Sequence, residues 1–141
     1  MKLGILLCGL SSPEMHAKYG YYDQQFRDLL APFGFEFVTF TVVNGELPRA
    51  DVDCDGFLLT GSKHNLDEHL PWMAPMLEWI RAAYGNKPMV GICFGHQAIA
   101  KALGGSVADA PVVYQTGVIN YNKSDGSQMS VAAWHGQQIV D

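Results

Sequence analysis

A cysteine between two glycines stands where a strand pattern changes into a helix pattern. Residues 88–92 form a short, wholly apolar run, which is typical of a strand buried on both faces of a sheet. The motif G-x-C-x-G at residues 91–95 overlaps this run and leads straight into a helical pattern. This arrangement predicts a nucleophile elbow, the tight strand-to-helix turn that holds a reactive side chain above a sheet. Glycine on both sides permits the bend because it has no Cβ that would clash.

The cysteine of this motif, Cys93, is the candidate nucleophile. At a strand-to-helix turn its thiol would lie over the carboxyl edge of the sheet, where open α/β folds bind ligands. The adjoining helix N-terminus favours the thiolate, which is the reactive form of cysteine. The alternative is an ordinary buried cysteine, and the flanking glycines argue against it.

Strand and helix patterns alternate along most of the chain. Apolar runs predict strands at residues 2–8, 35–43, 56–60 and 88–92. Apolar positions at helical spacing predict helices at residues 19–30, between Pro71 and Gly85, and at 95–103. Short β-type pieces follow at residues 106–107, 116–121 and 129–134. The alternation predicts an α/β fold with a three-layer, open, mostly parallel sheet and helices on both faces, and residues 1–141 are predicted to form a single domain.

Composition and charge exclude several classes of protein. Hydrophobic residues make up 48% of the 141-residue chain, which is enough for one packed core. The net charge is -5 with 9 Lys and Arg, which argues against nucleic-acid binding. The apolar start is interrupted by Gly4 and Gly9 and is too short to span a membrane, so it is interpreted as a buried strand. The 3 cysteines lack C-x-x-C spacing, which predicts reduced thiols, with Cys8 and Cys54 in the core, and a cytoplasmic location.

A polar loop is predicted at residues 61–69, between the third strand and the next helix. It contains His64, Asp67, Glu68 and His69, and one interpretation of this group is a metal site. A polar loop after a strand is more often solvated, or controls the entry of substrate. We therefore predict no metal and no cofactor.

Several motifs resemble those of class I glutamine amidotransferases, in particular the free-standing branch that is similar to the amidotransferase part of GMP synthase. Residues 91–97 (GICFGHQ) resemble the nucleophile signature, and residues 58–62 (LLTGS) resemble the oxyanion strand. Residues 19–20 (YG) and 133–136 (AWHG) resemble that branch as well. The resemblance spans almost the whole chain and implies a flavodoxin-like sheet whose C-terminal part is incomplete.

The resemblance also implies roles for individual residues. In this family the thiolate, here Cys93, attacks the side-chain amide carbon of glutamine, ammonia leaves, and water hydrolyses the glutamyl thioester. The backbone N–H groups of Gly61 and Phe94 match the oxyanion hole, which supplies donors to the negative oxygen. A simple strand end also explains glycine at position 61. Gln97 matches a family residue that holds the amino-acid end of the substrate, and its amide can both donate and accept.

His135 and Gly136 match the segment whose backbone lines the glutamine pocket in this family. Gln137 stands where relatives usually carry an acid, so no specific role is assigned to it. The base of the family lies in a later His-x-Glu, and no glutamate follows Glu78 in this sequence. The catalytic set is therefore incomplete, and little or no glutaminase turnover is expected. Either the natural protein continues past Asp141, which an end directly after a family motif favours, or it is a short paralogue that has lost catalysis.

Three functions are compatible with the resemblance. The first is a glutaminase that delivers ammonia to a synthase on a separate chain, since no acceptor domain is present. The alternatives are a γ-glutamyl hydrolase or peptidase with the same thioester chemistry, and a non-catalytic module that binds a ligand or regulates. No nucleic-acid or membrane partner is expected. A truncated sheet would leave an apolar edge uncovered, which predicts self-association or a partner at that edge.

Overall fold

A four-stranded parallel sheet forms the centre of the protein. The structure is a computed structural model that describes residues 1–110, 115–123 and 125–140. The strands lie in the order β2-β1-β3-β4 and are β1 (Lys2–Leu6), β2 (Glu36–Phe40), β3 (Gly56–Leu59) and β4 (Met89–Gly91). Neighbouring strands are parallel throughout this sheet. All four carboxyl ends therefore meet at one edge, which is where open α/β sheets bind ligands.

Helices cover both faces of this sheet. The helices are α1 (Pro13–Tyr19), α2 (Tyr22–Leu30), α3 (Met73–Ala83) and α4 (Phe94–Ala102). Alternate strand residues point to opposite faces, and Leu6 and Leu59 point into a buried cluster with apolar side chains of α3 and α4. On the other face, Arg27 of α2 donates to Thr39 Oγ1 of β2 at 2.7 Å. The predicted three-layer α/β architecture is confirmed.

The first helical segment differs from the prediction of one helix at residues 19–30. The chain forms two helices there, and they are separated at Gly20, whose φ is 72°. A positive φ is open to glycine but strained for other residues, so the helix ends at this point. The helical segment begins at Pro13, earlier than predicted. It does so because the Ser12 side chain accepts a hydrogen bond from the Met15 N–H and Pro13 occupies the first turn.

The second strand is shorter than predicted. It ends at Phe40 instead of Val43, because residues Val42–Asn44 turn into a 3-10 helix. Gly45 ends that turn with a φ of 84°. The predicted polar loop at residues 61–69 likewise contains a single 3-10 turn, Leu66–Glu68.

The last part of the chain forms two antiparallel pairs. Strand β5 (Val107–Asp109) pairs with β8 (Gln137–Ile139), and β6 (Gln115–Asn122) pairs with β7 (Gln128–His135). The sequence predicted pieces of β5, β6 and β7 but missed β8, whose Gln-Gln-Ile has little apolar alternation. Pairing with β5 makes it a strand. The chain end at Asp141 lies outside the described residues.

Strand β4 forms one edge of the four-stranded sheet among the described residues. Its residue Val90 is 56% exposed, and Ile92, which follows the strand, is exposed as well. Apolar side chains at a sheet edge are a surface that another segment or chain commonly covers. Self-association or a partner at this edge stays a prediction. In the part of the chain that the structure describes, no helix is both long and apolar enough to cross a membrane.

Candidate active site

Cys93 occupies a strained turn between β4 and α4. Its φ is 52° and its ψ is -109°, a conformation that L-residues rarely adopt. The residue is exposed, unlike the buried Cys8 and Cys54. Strain of this kind costs about 1–3 kcal/mol and persists where the surrounding structure enforces it, often at functional sites. The geometry is that of a nucleophile elbow.

The glycines on both sides of Cys93 are required by close packing. A Cβ at Gly91 would lie 2.4 Å from the backbone of Gly95. A Cβ at Gly95 would lie 2.4 Å from the carbonyl oxygen of Leu59 in β3. The G-x-C-x-G motif thus brings the start of α4 against two neighbouring strands and fixes the place where the thiol emerges.

A cleft of about 430 Å³ opens beside the thiol, and its lining brings together every residue that the sequence predicted for the site. These residues are Cys93, Gly61, Phe94, Gln97, His135 and Gly136. Tyr22, Phe26 and Trp134 add aromatic walls. The sequence assigned these three no place in the site, because they come from distant elements, although Trp134 belongs to the motif at residues 133–136 that also contains His135. The cleft is large enough for a small-molecule ligand, and the roles of its residues stay predictions.

Gly61 lies directly beside the candidate nucleophile. A Cβ at this position would lie 3.7 Å from the Cβ of Cys93, which is an ordinary contact distance. Packing alone would therefore accept alanine here, so close contacts do not require the glycine. A methyl group at this position would occupy space in the cleft next to the Cys93 side chain.

Thr60 anchors the start of the loop that contains Gly61. Its buried hydroxyl accepts a hydrogen bond from the Cys8 N–H at 2.9 Å and lies 3.0 Å from the carbonyl oxygen of Gly61 as donor. Burial raises the pKa of the Cys8 thiol to about 12, so this cysteine stays protonated and unreactive. These hydrogen bonds of Thr60 hold the start of the loop that lines the cleft.

Gln97 and Gln137 form a buried connection behind the cleft. Gln97 is 7% exposed, and its Nε2 donates to the backbone oxygen of Gln137 at 2.6 Å. The side chain of Gln137 is in turn shared between two elements: Oε1 accepts from the Leu66 N–H at 3.2 Å, and Nε2 donates to Asp109 Oδ1 at 3.3 Å. Gln137, to which the sequence assigned no role, therefore joins α4, β5 and the 3-10 turn of the loop. No local pattern signals these contacts, because its partners lie 28 and 71 positions away.

The neighbour Asp109 explains why an amide suits position 137. We expect Gln137→Glu to lower the free energy of unfolding by about 1–3 kcal/mol, since a carboxylate cannot donate to Asp109 and would repel it. Urea unfolding measures the loss. Adding Asp109→Asn should recover part of it, because the asparagine amide donates to the new carboxylate. Gln138→Glu, one position along the strand, is the matched control, and an equal loss there would contradict the assignment.

His64 and Glu68 of the loop form a hydrogen-bonded pair. His64 Nδ1 lies 2.8 Å from Glu68 Oε2, and the Asn65 N–H donates to Glu68 Oε1 at 2.7 Å. The hydrogen bonds from Asn65 and His64 lower the pKa of Glu68, so it is a carboxylate at neutral pH. Within residues 1–110, 115–123 and 125–140, no group of three or more His, Cys, Asp and Glu residues is placed to hold a metal ion.

The chain is an α/β protein with an exposed cysteine at a strained elbow, above a parallel sheet and inside a cleft. A site of this kind supports a cysteine nucleophile. A family model described as "Glutamine amidotransferase class-I" matches residues 21–141. The chain belongs to the class I glutamine amidotransferase family.

Individual relatives agree with this family. Gamma-glutamyl peptidase 4 of Arabidopsis thaliana is 40% identical over 95 residues, which are 65% of this chain and 38% of that protein. One subunit of the glutamine-hydrolysing GMP synthase of Halobacterium salinarum is 34% identical over 70 residues, 50% of this chain and 34% of that protein. A crystal structure of a glutamine amidotransferase from Methylobacillus flagellatus has a TM-score of 0.72 at 25% identity, covering 98% of this chain and 56% of that one. The chain thus matches less than half the length of these two curated relatives.

Proposed function

We propose that Cys93 is the nucleophile of a glutamine amidotransferase-type site that cleaves a γ-glutamyl amide. The observation that carries the proposal is the exposed thiol at a strained elbow inside the cleft. The thiolate attacks the side-chain amide carbon of the substrate, and the C–N bond then breaks as the leaving nitrogen takes up a proton. Ammonia leaves when the substrate is glutamine. Water hydrolyses the glutamyl thioester and returns the thiol.

Both halves of this reaction pass through a negatively charged oxygen. The backbone N–H groups of Gly61 and Phe94 are proposed as its donors, and both residues line the cleft. Each such donor typically contributes about 3 kcal/mol to the transition state. The side chain of Phe94 is buried against Trp72, with the ring centroids 5.7 Å apart, which supports a fixed position for its backbone.

The amino-acid end of the substrate is proposed to bind at Gln97, His135 and Gly136. Nε2 of Gln97 is held by the backbone oxygen of Gln137. Oε1 is then the part of the amide that accepts a hydrogen bond from the substrate's ammonium group. His135 is proposed as a wall residue and not as the general base, because neither late histidine has an acid two positions further on. Little glutaminase turnover is expected from these 141 residues, and rapid ammonia release would contradict that expectation.

A second candidate is a γ-glutamyl peptidase, in which an amine leaves instead of ammonia. The 40% identity to a relative that carries this name favours it. The similarity to one chain of a GMP synthase supports a separate synthase as the partner in the glutaminase alternative. A cytoplasmic location and a non-catalytic binding role stay predictions.

Selective labelling tests the proposed nucleophile. We expect a glutamine-like diazoketone to add one mass increment to the peptide that contains Cys93 and to leave Cys8 and Cys54 unmodified, since those two thiols are buried. Excess glutamine should slow the labelling, and peptide mass spectrometry reads both results. Labelling of a different residue, or labelling that glutamine does not slow, would contradict the proposal.

A further inference from the structure

Three of the residues that line the cleft beside Cys93 are basic. Lys63 and His64 line it from the loop after β3, and His135 lines it from β7. No Asp or Glu belongs to the lining among the residues that the structure describes. A lysine and two imidazole rings that can donate hydrogen bonds favour a ligand that carries carboxylate groups.

His64 is held in a fixed orientation at the cleft wall. Its Nδ1 hydrogen-bonds with Glu68, and its backbone N–H donates to Ser62 Oγ at 3.1 Å. Its ring also packs edge to face against Trp72, with centroids 6.1 Å apart. Because Glu68 occupies Nδ1, Nε2 is the ring nitrogen that remains to meet a ligand.

The pairing with Glu68 determines what this ring can recognise. A charged imidazole donates a hydrogen bond from each of its two nitrogens. In its protonated form the His64 ring can therefore bridge the Glu68 carboxylate and a second carboxylate on a ligand, and the positively charged Lys63 lines the same cleft. Hydrogen bonds between ionised groups are about twice as strong as neutral ones. Glu68 contacts the His64 ring directly, and the other titratable groups that line the same cleft are Lys63, His135, Cys93 and Tyr22.

We propose that His64, oriented by Glu68, binds a carboxylate on the leaving-amine side of the substrate. The assignment rests on the proposed function, in which Gln97, His135 and Gly136 hold the glutamyl end. The cleft of about 430 Å³ and its aromatic walls leave room beyond a single amino acid. The preferred substrate is then a γ-glutamyl peptide whose leaving group is an amino acid with a free carboxylate, rather than glutamine, which releases ammonia.

Protection of Cys93 from the diazoketone tests this assignment without requiring turnover. γ-Glutamylglycine and γ-glutamylglycinamide differ only in the carboxylate that His64 is proposed to bind. We expect half-protection at an approximately tenfold lower concentration of γ-glutamylglycine. In His64→Gln the two compounds should protect about equally, and in Glu68→Gln the preference should be reduced. His96→Gln is the matched control, because His96 is exposed on α4 and does not line the cleft, so the tenfold preference should remain.

The outcomes separate the two proposals. Equal protection by both compounds in the unmodified protein contradicts the assignment of His64, and so does a preference that survives in His64→Gln. Failure of the diazoketone to label Cys93 at all contradicts the proposed nucleophile and the inference built on it. Both proposals are supported if Cys93 is labelled and the tenfold preference for γ-glutamylglycine is lost or reduced in His64→Gln and Glu68→Gln but not in His96→Gln.

Discussion

Gly95→Ala is expected to destabilise the protein by about 3 kcal/mol, because the new methyl group has no space. Its Cβ would lie 2.4 Å from the carbonyl oxygen of Leu59 and 2.7 Å from the Leu59 Cβ. These atoms belong to the backbone and the first side-chain carbon of the buried strand β3, so they cannot rotate away. Urea unfolding of the variant and the unmodified protein measures the loss.

Gly61→Ala provides the matched control for this prediction. Its Cβ would lie 3.7 Å from the Cβ of Cys93, which is ordinary contact, so its free energy of unfolding should change by less than about 0.5 kcal/mol. The same methyl group narrows the space beside the thiol, so labelling of Cys93 should be slower even though the fold is intact. Equal stability of the two alanine variants would show that α4 does not pack against β3 as closely as these distances require.

Replacing Cys93 by glycine is expected to abolish labelling of the cleft and to stabilise the protein relative to Cys93→Ala. Both variants lack the thiol, so neither can form the covalent adduct. They differ in the backbone, because alanine keeps the strain of a φ of 52°, whereas glycine adopts this conformation readily. We expect glycine to be more stable than alanine by about 1 kcal/mol at this position, as measured by urea unfolding.

Each half of this prediction has its own contradicting result. Equal stability of the glycine and alanine variants would mean that the turn at residue 93 is not strained. Diazoketone labelling that persists in both variants would place the nucleophile elsewhere. If labelling persists and the glycine variant is nevertheless more stable than the alanine variant, the turn is strained but Cys93 is not the nucleophile.

The strain at Cys93 connects the fold to the proposed reaction. The conformation of Cys93 is enforced from both sides, because Gly91 packs against Gly95 and Gly95 packs against Leu59. Close packing between β4, β3 and α4 therefore stabilises a conformation in which the sulfur stays exposed in the cleft, at a local cost that the buried core offsets.

The parallel sheet and the position of the elbow could be predicted from the amino-acid sequence. The apolar runs that became β1 to β4, and the G-x-C-x-G that follows β4, depend on properties of neighbouring residues: hydrophobicity, alternation and the absence of a Cβ. Such features are readable because they act over a few positions. The boundaries were less well predicted, as at Gly20, where a glycine with a positive φ divided one predicted helix into two.

Which side chains share the cleft, and what supports them, depends on the tertiary structure. Gln137 reaches Asp109 and Leu66 across 28 and 71 positions, so its role depends on how β5, β8 and the loop pack. The His64–Glu68 pair is local in sequence, but its position on the wall beside Cys93 follows from the path of the loop after β3. Packing between distant elements sets these distances. Hydrogen bonds of this kind follow no regular spacing along the chain, so they cannot be predicted from the sequence.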